Sequence, residues 1–172
     1  MCKLWVVRRT QMQVSSILTN QTITVFTDGS CHSQLKKGGW ASIIFVGDEK
    51  IILEGNSSET THHRMELIAV LQSLAYLQSK GLMDNQIVVH SDSQYVVDLQ
   101  KRKDRLMLSG YRTKKSKPVR NSDLVQSLII FMGHDNVKFI KIKSHQKHSD
   151  LKTLLNREVD ILSRKNMRQS QG

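Results

Sequence analysis

The sequence predicts a mixed α/β layer architecture, and three observations predict it. Short runs with the period-two alternation of strands fill the first third, and segments with helical spacing then alternate with further strand-like runs. The chain has 172 residues, enough to bury a core without a disulfide or metal staple. Hydrophobic residues at 38% and charged residues at 24% describe a folded chain, not a disordered one. Two cysteines, Cys2 and Cys31, supply neither a disulfide framework nor a four-ligand zinc site, and reduced thiols fit a cytoplasmic address. No apolar stretch reaches membrane-span length, and Arg8 and Arg9 interrupt the apolar run before them, so a membrane partner and a signal peptide are both excluded.

Residues 1–21 form a basic lead rich in Gln, Ser and Thr, with no clear period, and are expected to be a poorly ordered extension. The domain proper spans 22–166 and a tail 167–172 follows. Ile23, Val25 and Thr27 alternate with Thr24 and Phe26 as a strand that ends at Asp28-Gly29. Residues 40–46 and 50–54 read as two more strands around a Gly47-Asp48 turn, completing an antiparallel meander. Met65, Ile68, Ala69, Gln72 and Tyr76 recur at helical spacing, and Lys80-Gly81 closes that helix. Residues 87–89 form a short apolar strand ended by Ser91 and Asp92, and 94–100 a helix. Residues 124–132 resume a helix, 137–143 alternate as a fifth strand, and 154–165 form the last helix.

Residues 101–120 differ in kind. Nine basic residues face one acid, Asp104, so this window carries +8 of the chain's formal +11. An excess of this size points to a polyanionic partner, most often nucleic acid, whereas the plain alternative is a solvated charged surface.

Four acids stand out by position. Asp28 and Asp92 end strands, Glu66 lies in the first turns of the first long helix, and Asp160 lies between Val159 and Ile161 in the last helix. Each alone reads more readily as a turn acid, a dipole-facing acid or an exposed helical acid. Two adjacent strands ending in Asp would instead bring both carboxylates to one sheet edge, where the two helices could add theirs. Clustered carboxylates call for a cation, and an oxygen-only set suits Mg²⁺ or Mn²⁺ better than zinc.

Five ordered motifs then resemble type 1 ribonuclease H, of the bacterial kind with a basic protrusion. They are Thr27-Asp28-Gly29-Ser30, Thr60-Thr61-His62-His63-Arg64-Met65-Glu66-Leu67, Ser91-Asp92-Ser93-Gln94-Tyr95, Ile142-Lys143-Ser144-His145 and Asn156-Arg157-Glu158-Val159-Asp160. The resemblance implies a ribonuclease H-like fold, with a mixed five-stranded sheet of three antiparallel then parallel strands, flanked by helices. It implies an endonuclease that cuts the RNA strand of an RNA–DNA hybrid with two divalent metals. Carried over by position, Asp28, Glu66, Asp92 and Asp160 are the metal ligands. His145 resembles the loop histidine that assists proton transfer or product release, with His148 a competitor. Thr61 and Asn121 match residues that grip a DNA phosphate, and Gln34, His62, His63, Gln94 and Asn156 match positions near the hybrid. Lys114, Lys115 and Lys117 belong to the protrusion.

The chain departs from the family pattern at Gln34, where an Asn is usual, and at His62-His63, which replaces a pair often Asn-Asn or Asn-Gln. Leu106 and Leu108 lie in a region often rich in Trp. Cys31 reads as a loop thiol, since no Cys-His-Asn pattern makes it a nucleophile. The alternatives are a retroelement-derived ribonuclease H domain and a non-catalytic binding scaffold of the same fold. A chain starting at Met fits a cellular bacterial enzyme, acting as a monomer.

Overall fold

The computed structural model describes residues 6–9, 21–142 and 150–169. The meander takes the expected order but longer strands. The first continues past its expected end at Asp28-Gly29 to His32, because Ser30, Cys31 and His32 pair with Gly39, Gly38 and Lys37. Cys31 is therefore a strand residue and not a loop thiol. Strand β2 (Thr22–His32) runs antiparallel to β3 (Lys37–Val46), which runs antiparallel to β4 (Glu49–Ser57). Gly47 makes the β3–β4 turn with a positive φ of 59°, a conformation that favours glycine. Strand β5 (Gln86–Ser91) adds parallel to β2, and β6 (Val137–Lys141) parallel to β5.

The five expected strands are therefore joined in one mixed sheet, and a sixth extends it. Residues 6–9, assigned to the irregular lead, form β1 (Val6–Arg9) and pair antiparallel with β4, giving the order β1-β4-β3-β2-β5-β6. Four residues are too few to show a period, so the partner strand and not the local pattern makes this element.

Among the described residues, four helices cover the sheet. Helix α1 (His62–Ser79) starts at Thr61, whose hydroxyl accepts from the Arg64 backbone N–H, and ends at Lys80 before Gly81 at φ 67°. Helix α2 (Gln94–Leu108) runs eight residues into the basic window, a correction to its expected end near 100. The reason lies in Leu99 and Leu106, two turns apart on one buried face, while Lys101, Asp104 and Arg105 stay exposed. Helix α3 (Ser122–Met132) and α4 (Leu151–Gln169) complete the set. Among the described residues, no helix is long and apolar enough to cross a membrane.

Strand alternation divides the apolar side chains into two cores. Ile23, Val25, Trp40 and Ile44 face the layer of α1, α2 and α3. Phe26, Ala41 and Ile43 face α4 through Leu155 and Val159. Two glycines let the helices press on the sheet backbone. A Cβ on Gly29 would lie 2.2 Å from the Glu66 backbone nitrogen in α1, and one on Gly39 would lie 2.2 Å from Ser163 O and Met167 N in α4. Both acid-bearing helices thus touch the sheet close to Asp28, from opposite faces.

Candidate active site

The site begins with strand register. Thr27 of β2 pairs with Ser91 of β5, so the next residues, Asp28 and Asp92, emerge side by side at one sheet edge. Asp28 is 9% exposed and accepts a hydrogen bond from the Ser163 hydroxyl. Burial pushes its carboxyl up to about 6, and the charges of Asp92 and Asp160 add to the rise against the Ser163 bond. Burial also raises Asp92, with the Asn156 side chain opposing through a hydrogen bond and Glu66 and Asp160 adding repulsion. Asp28 and Asp92 therefore both feel the charge of Asp160, and Asp92 that of Glu66 as well.

Two of them already have cationic or donor partners on their own helices. Glu66, 7% exposed, meets His62 Nε2 at 3.1 Å through Oε1 and His63 Nδ1 at 3.0 Å through Oε2. Burial pushes Glu66 up, but hydrogen bonds from His62, His63 and Ser93 outweigh it and hold the carboxyl below its usual range. The same Glu66 bond raises His62 against its partial burial. The His63 ring stacks on Tyr95 at 4.7 Å, and the Tyr95 hydroxyl donates to the Arg120 carbonyl at 3.1 Å. Asp160 pairs with Arg164 Nε at 2.8 Å, one turn along α4.

Asp28, Asp92 and Asp160 line a cavity of about 480 Å³ whose other walls include His62, Arg164 and Arg168. A neighbouring cavity of about 520 Å³ is lined by Lys36, Thr61, His63 and Arg120, and the two share Cys31 and His62. Burial pushes the Cys31 thiol up, which disfavours the thiolate a nucleophile needs.

The donor chemistry fits a hard divalent cation: the acids are carboxylates only, and Asp28 and Asp92 are raised first by burial and further by like charge that a cation would relieve. Among the described residues, however, no three His, Cys, Asp or Glu side chains already converge as a ligand set. Glu66 is engaged by two histidines and Asp160 by Arg164.

The remaining expected residues spread around this edge. Thr61 caps α1 beside the second cavity, and Asn156 reaches Asp92. Asn121 starts α3 in a left-handed conformation at φ 56°, its Nδ2 buried and without a hydrogen-bond partner among the described residues. Gln94 opens α2, donating to Asp98 and accepting from Lys141 Nζ at 2.6 Å. Gln34 is exposed on the β2–β3 turn, and Lys114, Lys115 and Lys117 are exposed between α2 and α3. His145 and His148 lie outside the described residues. Sequence reasoning missed Ser163, Arg164 and Arg168. For Arg164 a signal existed, since it stands four residues after Asp160, the spacing of helical ion pairs.

Three acids gathered in one cavity, rimmed by histidine and arginine, on a strongly basic chain are chemically suited to hold a cation beside a polyanion. Residues 20–168 match the RNase H family model. The chain is 32% identical over 142 residues to a Ribonuclease H of Novosphingobium aromaticivorans, covering 82% of this chain and 93% of that protein. It is 33% identical over 149 residues to the Ribonuclease HI of Caulobacter vibrioides, covering 86% and 94%. Among solved structures, LC9-RNase H1, a type 1 RNase H with the type 2 active-site motif, superposes with a TM-score of 0.72 at 20% identity, covering 91% of this chain and 76% of that one. The chain belongs to the ribonuclease H family.

Proposed function

We propose that this chain is an endonuclease that hydrolyses the RNA strand of RNA–DNA hybrids, leaving 5′-phosphate and 3′-hydroxyl ends, as a cytoplasmic monomer. Family membership supports the reaction, and the family is generally metal-dependent. The observation that carries the reading to this chain is the parallel register that sets Asp28 beside Asp92 at one sheet edge.

Asp28, Glu66, Asp92 and Asp160 are the residues that would hold Mg²⁺. Such ions, when bound, lower the pKa of an attacking water and stabilise the departing oxygen. The chain's own work is to gather four carboxylates, to exclude bulk water from Asp28, and to hold Asp92 through Asn156. His145 assists proton transfer. Thr61 and Asn121 hold a DNA-strand phosphate, which positions the duplex without reading sequence. Gln34, Gln94, His62 and His63 line the path of the hybrid, where 2′-hydroxyl contacts select RNA. Lys114, Lys115 and Lys117 add phosphate contacts.

Matched RNA–DNA, RNA–RNA and DNA–DNA duplexes, incubated with Mg²⁺ and with chelator, test the reading. Cleavage of the hybrid's RNA strand alone, abolished by chelator, is the expected result. Cutting of duplex DNA or activity in chelator would overturn it, and tight hybrid binding without cleavage would mark a scaffold.

A further inference from the structure

Arg164 and Arg168 put two guanidinium groups in the same cavity as three of the acids. Arg164 is committed to Asp160 at 2.8 Å, yet both partners are open to water, at 59% and 33% exposure. Exposed ion pairs of this kind are weak and exchange readily. Asp28 differs, being buried and bonded to Ser163. Among the four acids, Asp160 is the one held by a mobile-length cation that can turn away without unpacking the core.

We infer that Arg164 is an exchange residue: it neutralises Asp160 in the resting site, and on releasing that carboxylate to a divalent cation it turns its guanidinium to a phosphodiester of the bound strand. The inference rests on the hydrolysis reading above. Its logic is charge balance. A cation that takes Asp160 leaves a free guanidinium in a cavity that has just gained positive charge. A phosphodiester entering the same cavity restores the balance, and guanidinium matches phosphate geometry through paired N–H donors. Arg164 is thus a positioning residue, linking cation binding to strand binding through one side chain.

The test uses the full chain and its Arg164→Gln and Arg164→Lys variants, with thermal melts to confirm folding. Calorimetric titration of Mg²⁺ into substrate-free protein should show R164Q binding about two- to fivefold more tightly than wild type, because the competing pair is gone. The salt dependence of kcat/KM on a hybrid at saturating Mg²⁺ should become shallower by somewhat less than one logarithmic unit in R164Q, the loss of one phosphate contact. R164K, which keeps the charge, should restore the slope. Equal Mg²⁺ affinity in wild type and R164Q overturns the inference. So does tighter Mg²⁺ binding with an unchanged salt slope, since Arg164 would then be a counter-ion and nothing more. Failure of the wild type to cleave the hybrid would instead sink the hydrolysis reading, and the Mg²⁺ titration would still judge the pairing of Arg164 with Asp160.

Discussion

Asp92 shows how little of its role lies in the residue itself. It follows a six-residue strand, is half-buried, and gains meaning only from the parallel neighbour that brings Asp28 alongside. Asp92→Asn should abolish turnover on the hybrid. Melted in chelator, the same variant should be as stable as wild type or slightly more so, because one member of a repelling set is removed. Turnover near the wild-type level would withdraw Asp92 from the site. The elements that carry the four acids were legible in the sequence from strand alternation and helical spacing, although Asp28 lies within β2 and not at its end. The partners of the acids were not. His62 and His63 read as hybrid contacts, yet both rings face Glu66, four and three residues ahead of it along the helix. The spacing was visible, but whether an exposed helical histidine turns inward depends on the burial of its neighbour, which only packing shows.

At the scale of elements, two glycines set how closely α1 and α4 approach the sheet. Gly29→Ala would force its Cβ against α1 backbone, which cannot yield as a flexible side chain would. The cost should fall at or beyond the upper end of the ~1–3 kcal/mol typical of overpacking, with activity lost as Glu66 is displaced. Chemical denaturation checks it, with Gly81→Ala, free of any nearby atom but strained at positive φ, as a milder comparison. Helix α1 is also tied to α3, where Arg64 grips Asp123 with two bonds of 2.9 and 2.7 Å. That hydrogen-bonded pair holds Asp123 below its usual range of 3.8. A lowered folded value means the contribution is present above the unfolded pKa and is lost as pH falls through the folded one. Arg64→Gln should therefore cost less than ~1 kcal/mol at neutral pH, given Asp123's exposure, and nothing once the medium is acidic enough to protonate Asp123 in both states. Parallel melts across pH 2 to 7 would show the difference closing; a gap that stays constant would mean packing, not charge, holds the two helices. Helix α2 marks the limit of reading elements from sequence: its charge run hid the Leu99–Leu106 repeat that carries the helix on to Leu108.

For the whole molecule, charge is distributed with a purpose. The exposed Lys114, Lys115 and Lys117 lie in a loop beyond α2, the helix that begins two residues after Asp92. Replacing all three with Ala should raise KM far more than it lowers kcat, because such contacts bind ground and transition states alike. The effect should shrink as salt rises, and identical salt titrations for variant and wild type would leave the lysines without a role. The class of fold was legible because five strands and four helices each carried their own period. Strand β1 was invisible for the opposite reason, since its form depends on pairing with β4. That dependence has a protective side. Every backbone donor and acceptor along Ile51–Glu54 that β1 engages would otherwise be an open template, beside one of the most apolar runs in the chain. The four-residue β1 takes the place of the nine-residue β4 at the border, and so short an edge is a poorer template for pairing with the molecule's own copies.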